Sequence, residues 1–188
     1  TPRSVSASRL MPEKPHKKSA AGQTAIGKLS YCWLIYEDEI EEYGSYGLST
    51  LDLKAPEYVN VIYENDYQAC AGAYADNRYY AYLYMTNYNG QVVPKNFISM
   101  NLEDGSIRQV ADYSDITTIY TDMSYDYSTS TMYALGVDDT GTKSVLATVD
   151  LDNGNYTPIK TLEQGFLTLA ITYSGVCYGI STEGILYK

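Results

Sequence analysis

The sequence predicts an all-β fold of repeated four-stranded antiparallel units, and three observations predict it. The first is a phrase that recurs at a fixed stride: Leu51-Asp52-Leu53, Met100-Asn101-Leu102 and Val149-Asp150-Leu151, each 49 residues after the last. The second is what surrounds the phrase. The turn dipeptides Asp104-Gly105 and Asn153-Gly154 follow it, and the aromatic–small pairs Tyr80-Ala81, Tyr133-Ala134 and Tyr178-Gly179 recur between copies. The third is the aromatic content, 22 Tyr against two Phe and one Trp, because rings that carry a hydroxyl suit half-buried sheet surfaces. An internal period of this length is one supersecondary unit stacked on copies of itself. Four short antiparallel strands per roughly 40–50 residues is the signature of a β-propeller blade. A β-sandwich shares the short strands and turn signals and is the alternative, but it gives no reason for the stride.

Periodicity places strands at 30–36, 46–53, 58–63, 69–75, 79–86, 96–102, 106–111, 119–125, 131–137, 144–151, 155–161, 166–173, 176–181 and 184–188. These runs are short, rich in Tyr, Val, Ile and Thr, often alternating, and bounded by Gly, Asn and Asp. Within a period the order repeats: a small-residue strand, a tight turn, a Tyr-containing strand, a longer loop, the x-Asp-Leu strand, a Gly turn and a last strand. Small residues such as Ala69, Ala71, Gly72 and Ala73 suit an innermost strand. The first unit carries Lys54-Ala55-Pro56 where the others have a Gly turn. No amphipathic helix is expected; Glu37–Glu42 is too short and too acidic.

Residues 1–28 differ from the rest. They hold six of the 13 Lys and Arg and one acid, Glu13, with Pro2, Pro12, Pro15 and no apolar run, which reads as a disordered basic leader or linker. Residues 29–188, read as about four blades with the first and last incomplete, carry the other seven bases against 22 acids, a net of −15. A body that negative repels phosphate backbones and disfavours nucleic acid as a partner. No stretch approaches the ~18 apolar residues of a membrane span, and no signal-peptide apolar segment is present. Cys32, Cys70 and Cys177 have no C-x-x-C spacing; they are expected to be small buried hydrophobes in strands, with one disulfide left open.

The stretch from Tyr125-Asp126 to Tyr133-Ala134-Leu135, followed by Leu146-Ala147-Thr148-Val149-Asp150-Leu151-Asp152-Asn153-Gly154, resembles the blades of the YVTN and quinoprotein-like β-propeller repeats of exported bacterial proteins. The resemblance covers residues 69–112 and 117–161 well and the flanking units in part. It implies an exported protein at the cell surface, in the periplasm or outside the cell, and a ring that is either part of a longer propeller of about six to eight blades or sealed by pairing of its ends. Its motifs are structural and bring no catalytic residues with them.

Function concentrates on variable loops held by a rigid scaffold. The turns at 76–78, 103–105, 128–130, 152–154 and 174–175 are tight, so the binding face is expected on the opposite, long-loop side. That side carries Glu37, Asp38, Glu41, Glu42, Tyr67, Asn87, Tyr88, Asn89, Asp138 and Asp139. Tyrosine rings flanked by Asn and Asp can hold a sugar, the ring stacking while amides and carboxylates take hydroxyls. Carboxylates can hold calcium, and Asp150–Gly154 mimics the start of a calcium loop, without the distal acid of an EF-hand. No cofactor is otherwise implied. The single His, His16, lies in the leader, which removes His-based triads from the body, and no G-x-S-x-G, phosphate-loop or dinucleotide motif is present. The expectation is a non-catalytic binding or adhesion module for a glycan or a protein, with a partial carbohydrate-active or quinoprotein-like enzyme and a structural scaffold as the alternatives.

Overall fold

A computed structural model describes residues 29–36, 45–65, 68–86, 92–113, 118–137 and 142–188. The described chain is all strand and turn. Fourteen strands form four antiparallel sheets in which each strand pairs with its chain neighbours: a three-stranded sheet β1-β2-β3, two four-stranded sheets β4-β5-β6-β7 and β8-β9-β10-β11, and a three-stranded sheet β12-β13-β14. In the first sheet lie β1 (Leu29–Tyr36), β2 (Ser45–Asp52) and β3 (Ala55–Asn65). The second holds β4 (Gln68–Ala75), β5 (Arg78–Thr86), β6 (Val92–Asn101) and β7 (Ile107–Asp112). The third holds β8 (Ile119–Asp126), β9 (Thr131–Val137), β10 (Ser144–Val149) and β11 (Tyr156–Leu162), and the fourth β12 (Phe166–Ile171), β13 (Cys177–Ser181) and β14 (Leu186–Tyr187). These meandering sheets are propeller blades, and a sandwich, whose strands cross between two sheets, is not what forms.

The stride of the sequence is written into the register. One cross-strand pair recurs in every sheet: Trp33 opposite Leu48, Tyr82 opposite Phe97, Leu135 opposite Leu146, and Ile180 opposite Leu186. A register shift between the last two strands of three sheets falls at Leu48/Ser49, Phe97/Ile98 and Leu146/Ala147, one 49-residue period apart. A bulge sharpens the local twist, so the same bend is built into three sheets at one repeat position.

The recurring Asp is a turn residue. Asp150 closes the turn after β10, its Oδ1 accepting from the Asp152 amide at 2.8 Å and its Oδ2 from Asn153 Nδ2 at 2.8 Å. Asp52 accepts from the Lys54 amide at 2.9 Å in the same role, as expected of side chains that mimic a backbone turn. Gly154 then takes φ +76°, and a Cβ there would stand 2.5 Å from the Ala111 Cβ, so only glycine fits. In the first sheet β3 starts directly after a turn at Leu53-Lys54, with Asp52 opposite Ala55, and no glycine is needed. Between β4 and β5 both turn residues, Asp76 (φ 48°) and Asn77 (φ 60°), are left-handed, the geometry that matches the twist of a two-residue hairpin.

The chain divides into two compact units. One comprises Thr1–Gln68 with Leu102–Gly105, and the other Ala69–Asn101 with Ser106–Lys188. In the first, the Tyr63 hydroxyl donates to the Leu102 carbonyl at 3.0 Å. In the second, the core lies between the sheets of β4–β7 and β8–β11 and is largely tyrosine. Tyr82 stacks on Tyr120 at 4.5 Å and on Tyr113 at 5.2 Å, with Phe97 against Tyr82 at 4.9 Å. Next, β8 is tied to β12 by side chains bonding main chain: Asp122 Oδ2 accepts from the Leu169 amide at 2.6 Å and Ser124 Oγ from the Ile171 amide at 2.9 Å. Burial raises the Asp122 carboxyl above its usual range, against the pull of its bonds from the Leu169 and Met123 amides.

The cysteines depart from expectation. All three are free, Cys70 and Cys177 are exposed, and Cys32 is half-buried. Each sits in a strand, as read, but alternation turns Cys70 outward between Ala69 and Ala71, which take the buried positions.

Candidate functional site

Tyr67, Asn87, Tyr88, Asn89, Glu41, Glu42, Asp138 and Asp139, together with Glu37 and Asp38, lie outside the described residues. So does His16. The described residues instead bring together a group at the opposite, tight-turn end of the sheets.

Three inner strands, β4, β8 and β12, each deliver a tyrosine to that end: Tyr74 just before its turn, Tyr127 and Tyr173 as the first residues of theirs. The strands β8 and β12 run side by side, so their two rings converge. Tyr127 and Tyr173 stack nearly parallel, centroids 4.8 Å apart and planes 13° apart. Tyr125 meets Tyr127 edge-on at 4.8 Å, and the Tyr127 hydroxyl donates to the Tyr74 carbonyl at 3.5 Å. The Tyr74 hydroxyl accepts from the Asn77 amide at 3.4 Å, which seats that ring against its own turn. Tyr173 is 60% exposed and Tyr74 36%, so the outer ring of the stack is open to solvent.

Two carboxylates flank the rings. Asp76 is exposed at the tip of the β4–β5 turn. The phenol of Tyr127 is raised well above its usual range, first by burial of its inner side, then by Tyr74, Tyr173, Asp76 and Tyr125 around it. Asp126, at the end of β8, accepts from the Ser128 amide at 2.8 Å, the Ser128 hydroxyl at 2.7 Å and the Thr129 hydroxyl at 2.8 Å. These donors, Ser128 first, hold its carboxyl below the usual range, so it stays ionised. Gly175, in the turn that carries Tyr173, lies against this carboxylate.

Two arginines also lie at this end, Arg78 Nε donating to Ser99 Oγ at 3.2 Å and Arg108 Nη2 to the Leu151 carbonyl at 3.4 Å. Among the described residues no group of three or more His, Cys, Asp or Glu is placed to hold a metal ion, and the Asp150–Gly154 run is the turn described above. The strand ends that carry Tyr74, Tyr127 and Tyr173 were legible in the sequence, as were the tight turns. Their convergence was not, because the intervals between these tyrosines, 53 and 46 residues, straddle the stride.

No family model matches this sequence, and no curated protein matches it. Among solved structures it is similar to an oligogalacturonate lyase in complex with manganese (11% identity, TM-score 0.49, 85% of this chain and 49% of that one). It is also similar to the β-propeller domain of Myceliophteria thermophila Cps50 (Swd1) (6% identity, TM-score 0.42, 86% and 53%) and to the C-terminal domain of Bacillus megaterium YpeB (9% identity, TM-score 0.22, 72% and 92%). The chain spans about half the length of the first two. At these scores none assigns an activity, ligand or partner to it.

Proposed function

We propose that this chain is a non-catalytic binding module of an exported, cell-surface propeller, with a glycan or a protein as its ligand. One arrangement carries the reading: the Tyr127–Tyr173 stack, rigidly held at the ends of two inner strands and open on its outer ring. An aromatic ring gains by leaving water, and one held exposed on rigid turns is surface available to a partner. As read from the sequence, Tyr67, Asn87, Tyr88, Asn89, Glu41, Glu42, Asp138 and Asp139 are proposed to bind a ligand of the same chemistry, and export rests on the resemblance of the repeats.

The test is a glycan array run beside a peptide panel, with calorimetry on wild type, Tyr173→Ala and Tyr88→Ala. Binding by wild type that at least one variant weakens by about 1 kcal/mol, the worth of a stacked aromatic contact, supports the reading. Silence across both panels leaves a structural scaffold, and turnover of an oligosaccharide in the same assay replaces the binding module with an enzyme.

A further inference from the structure

We propose that the Tyr74–Tyr127–Tyr173 platform is a receptor for the guanidinium side chains of a basic protein segment, rather than for a neutral sugar. The inference rests on the binding-module reading and names the ligand class at this one surface.

The argument starts from charge. An exposed aromatic face takes either a sugar ring or a cation, and what surrounds it decides between them. Here the rings are bracketed by Asp76 on one turn and Asp126 on the next. Neither is paired with a Lys or Arg among the described residues, where the ion pair at hand is Lys143–Glu163 at 3.1 Å, in another part of the sheet. Asp126 is buried and its oxygens already accept three hydrogen bonds, so it offers no free edge to a hydroxyl. It contributes charge. Asp76 is exposed and offers both charge and an oxygen.

A sugar-binding site needs several open hydrogen-bonding edges around its ring; a cation needs a ring face and a negative field. Asp76 and Asp126 supply such a field here, on a body whose residues 29–188 carry 22 acids and seven bases. Guanidinium fits better than ammonium because it is planar. It can lie flat on the exposed ring of Tyr173, within the negative field of the carboxylates at this end. The negative field also steers a basic segment toward this face.

The test titrates the full chain with three capped tetrapeptides, of Arg, Lys and Gln, and with a panel of neutral oligosaccharides, by calorimetry at two salt concentrations. Expected is binding of the Arg peptide, weaker for Lys, absent for Gln, and falling with salt. Tyr173→Ala keeps the net charge but should cut Arg-peptide affinity about two- to fivefold, the range of an exposed cation–π contact, and Tyr173→Phe should restore it. Asp76→Asn should weaken binding, whereas Glu183→Gln, which removes the same charge from the β13–β14 turn, should not. Equal losses in Asp76→Asn and Glu183→Gln, or no loss in Tyr173→Ala, would reduce the effect to bulk charge and overturn the proposal. Oligosaccharide binding lost in Tyr173→Ala overturns it while leaving the binding module standing; no binding of any probe, there or on the wider panels, defeats both.

Discussion

A tyrosine core poses a question at the level of single hydroxyls. Tyr82 and Tyr120 are each only 1% exposed, and among the described residues neither hydroxyl has a partner of hydrogen-bonding geometry; Tyr113 lies beside Tyr82 and Tyr156 beside Tyr120. Tyr84, from the same strand as Tyr82, is satisfied, donating to the Tyr120 carbonyl at 2.6 Å, and the Tyr113 hydroxyl donates to the Gly154 carbonyl. A buried polar group without a partner loses its hydration uncompensated, whereas a bonded one contributes about 1 kcal/mol. Tyr82→Phe is therefore expected to leave stability unchanged or raise it by up to about 1 kcal/mol, while Tyr84→Phe lowers it by about as much. Denaturant unfolding of the two variants decides: equal losses would show that the Tyr82 hydroxyl is bonded after all. Only the partner of the hydroxyl separates these two buried positions, since both read in the sequence as Tyr alternating along one strand.

Among the elements, the informative junction is β8 against β12. The two strands belong to different sheets and share no ladder, so they are joined by Asp122 and Ser124, whose side chains accept from the Leu169 and Ile171 amides. Asp122 also accepts from the Met123 amide at 2.9 Å, so its loss strands two donors. Asp122→Ala should cost about 2 kcal/mol, and Asp122→Asn, which keeps one acceptor and removes a buried charge, about half of that. Thermal melts of both variants measure it, and a cost near zero for Ala would mean that water takes over both amides. In the sequence Asp122 is one acid among 22 in the body. Strand membership was legible there, since alternation and turn residues are local, but the partner 47 positions away was not.

For the whole molecule, the dominance of Tyr predicts an alkaline limit. Burial raises the phenols of Tyr82, Tyr84 and Tyr120 far above 10.0, and that of Tyr113 to about 12. The unfolded chain ionises near 10.0, so above that pH it binds fewer protons than the native state, and stability falls as pH rises. The stabilising effect is complete below pH 10 and lost through about 12 for Tyr113. The slope is roughly 1.4 kcal/mol per pH unit for each phenol that stays protonated in the fold. Unfolding followed from pH 8 to 12 by circular dichroism, beside phenolate absorbance, is expected to show the two transitions together. Gradual ionisation of most tyrosines before unfolding would contradict the buried stack.

The order of residues along the chain was enough for the repeat: the 49-residue stride, the position of every described strand to within a few residues, and the tight turns at one end. All of these are set by interactions between residues close in the chain, alternation and side-chain-to-backbone turns, which leave a local imprint. The tertiary structure alone decided that Tyr82 faces Tyr120, that Asp122 caps Leu169, that Cys70 and Cys177 point outward, and that Tyr74, Tyr127 and Tyr173 meet at one surface. Those facts depend on which sheet lies against which, and the packing of one sheet on the next is a contact between distant segments that no local pattern records.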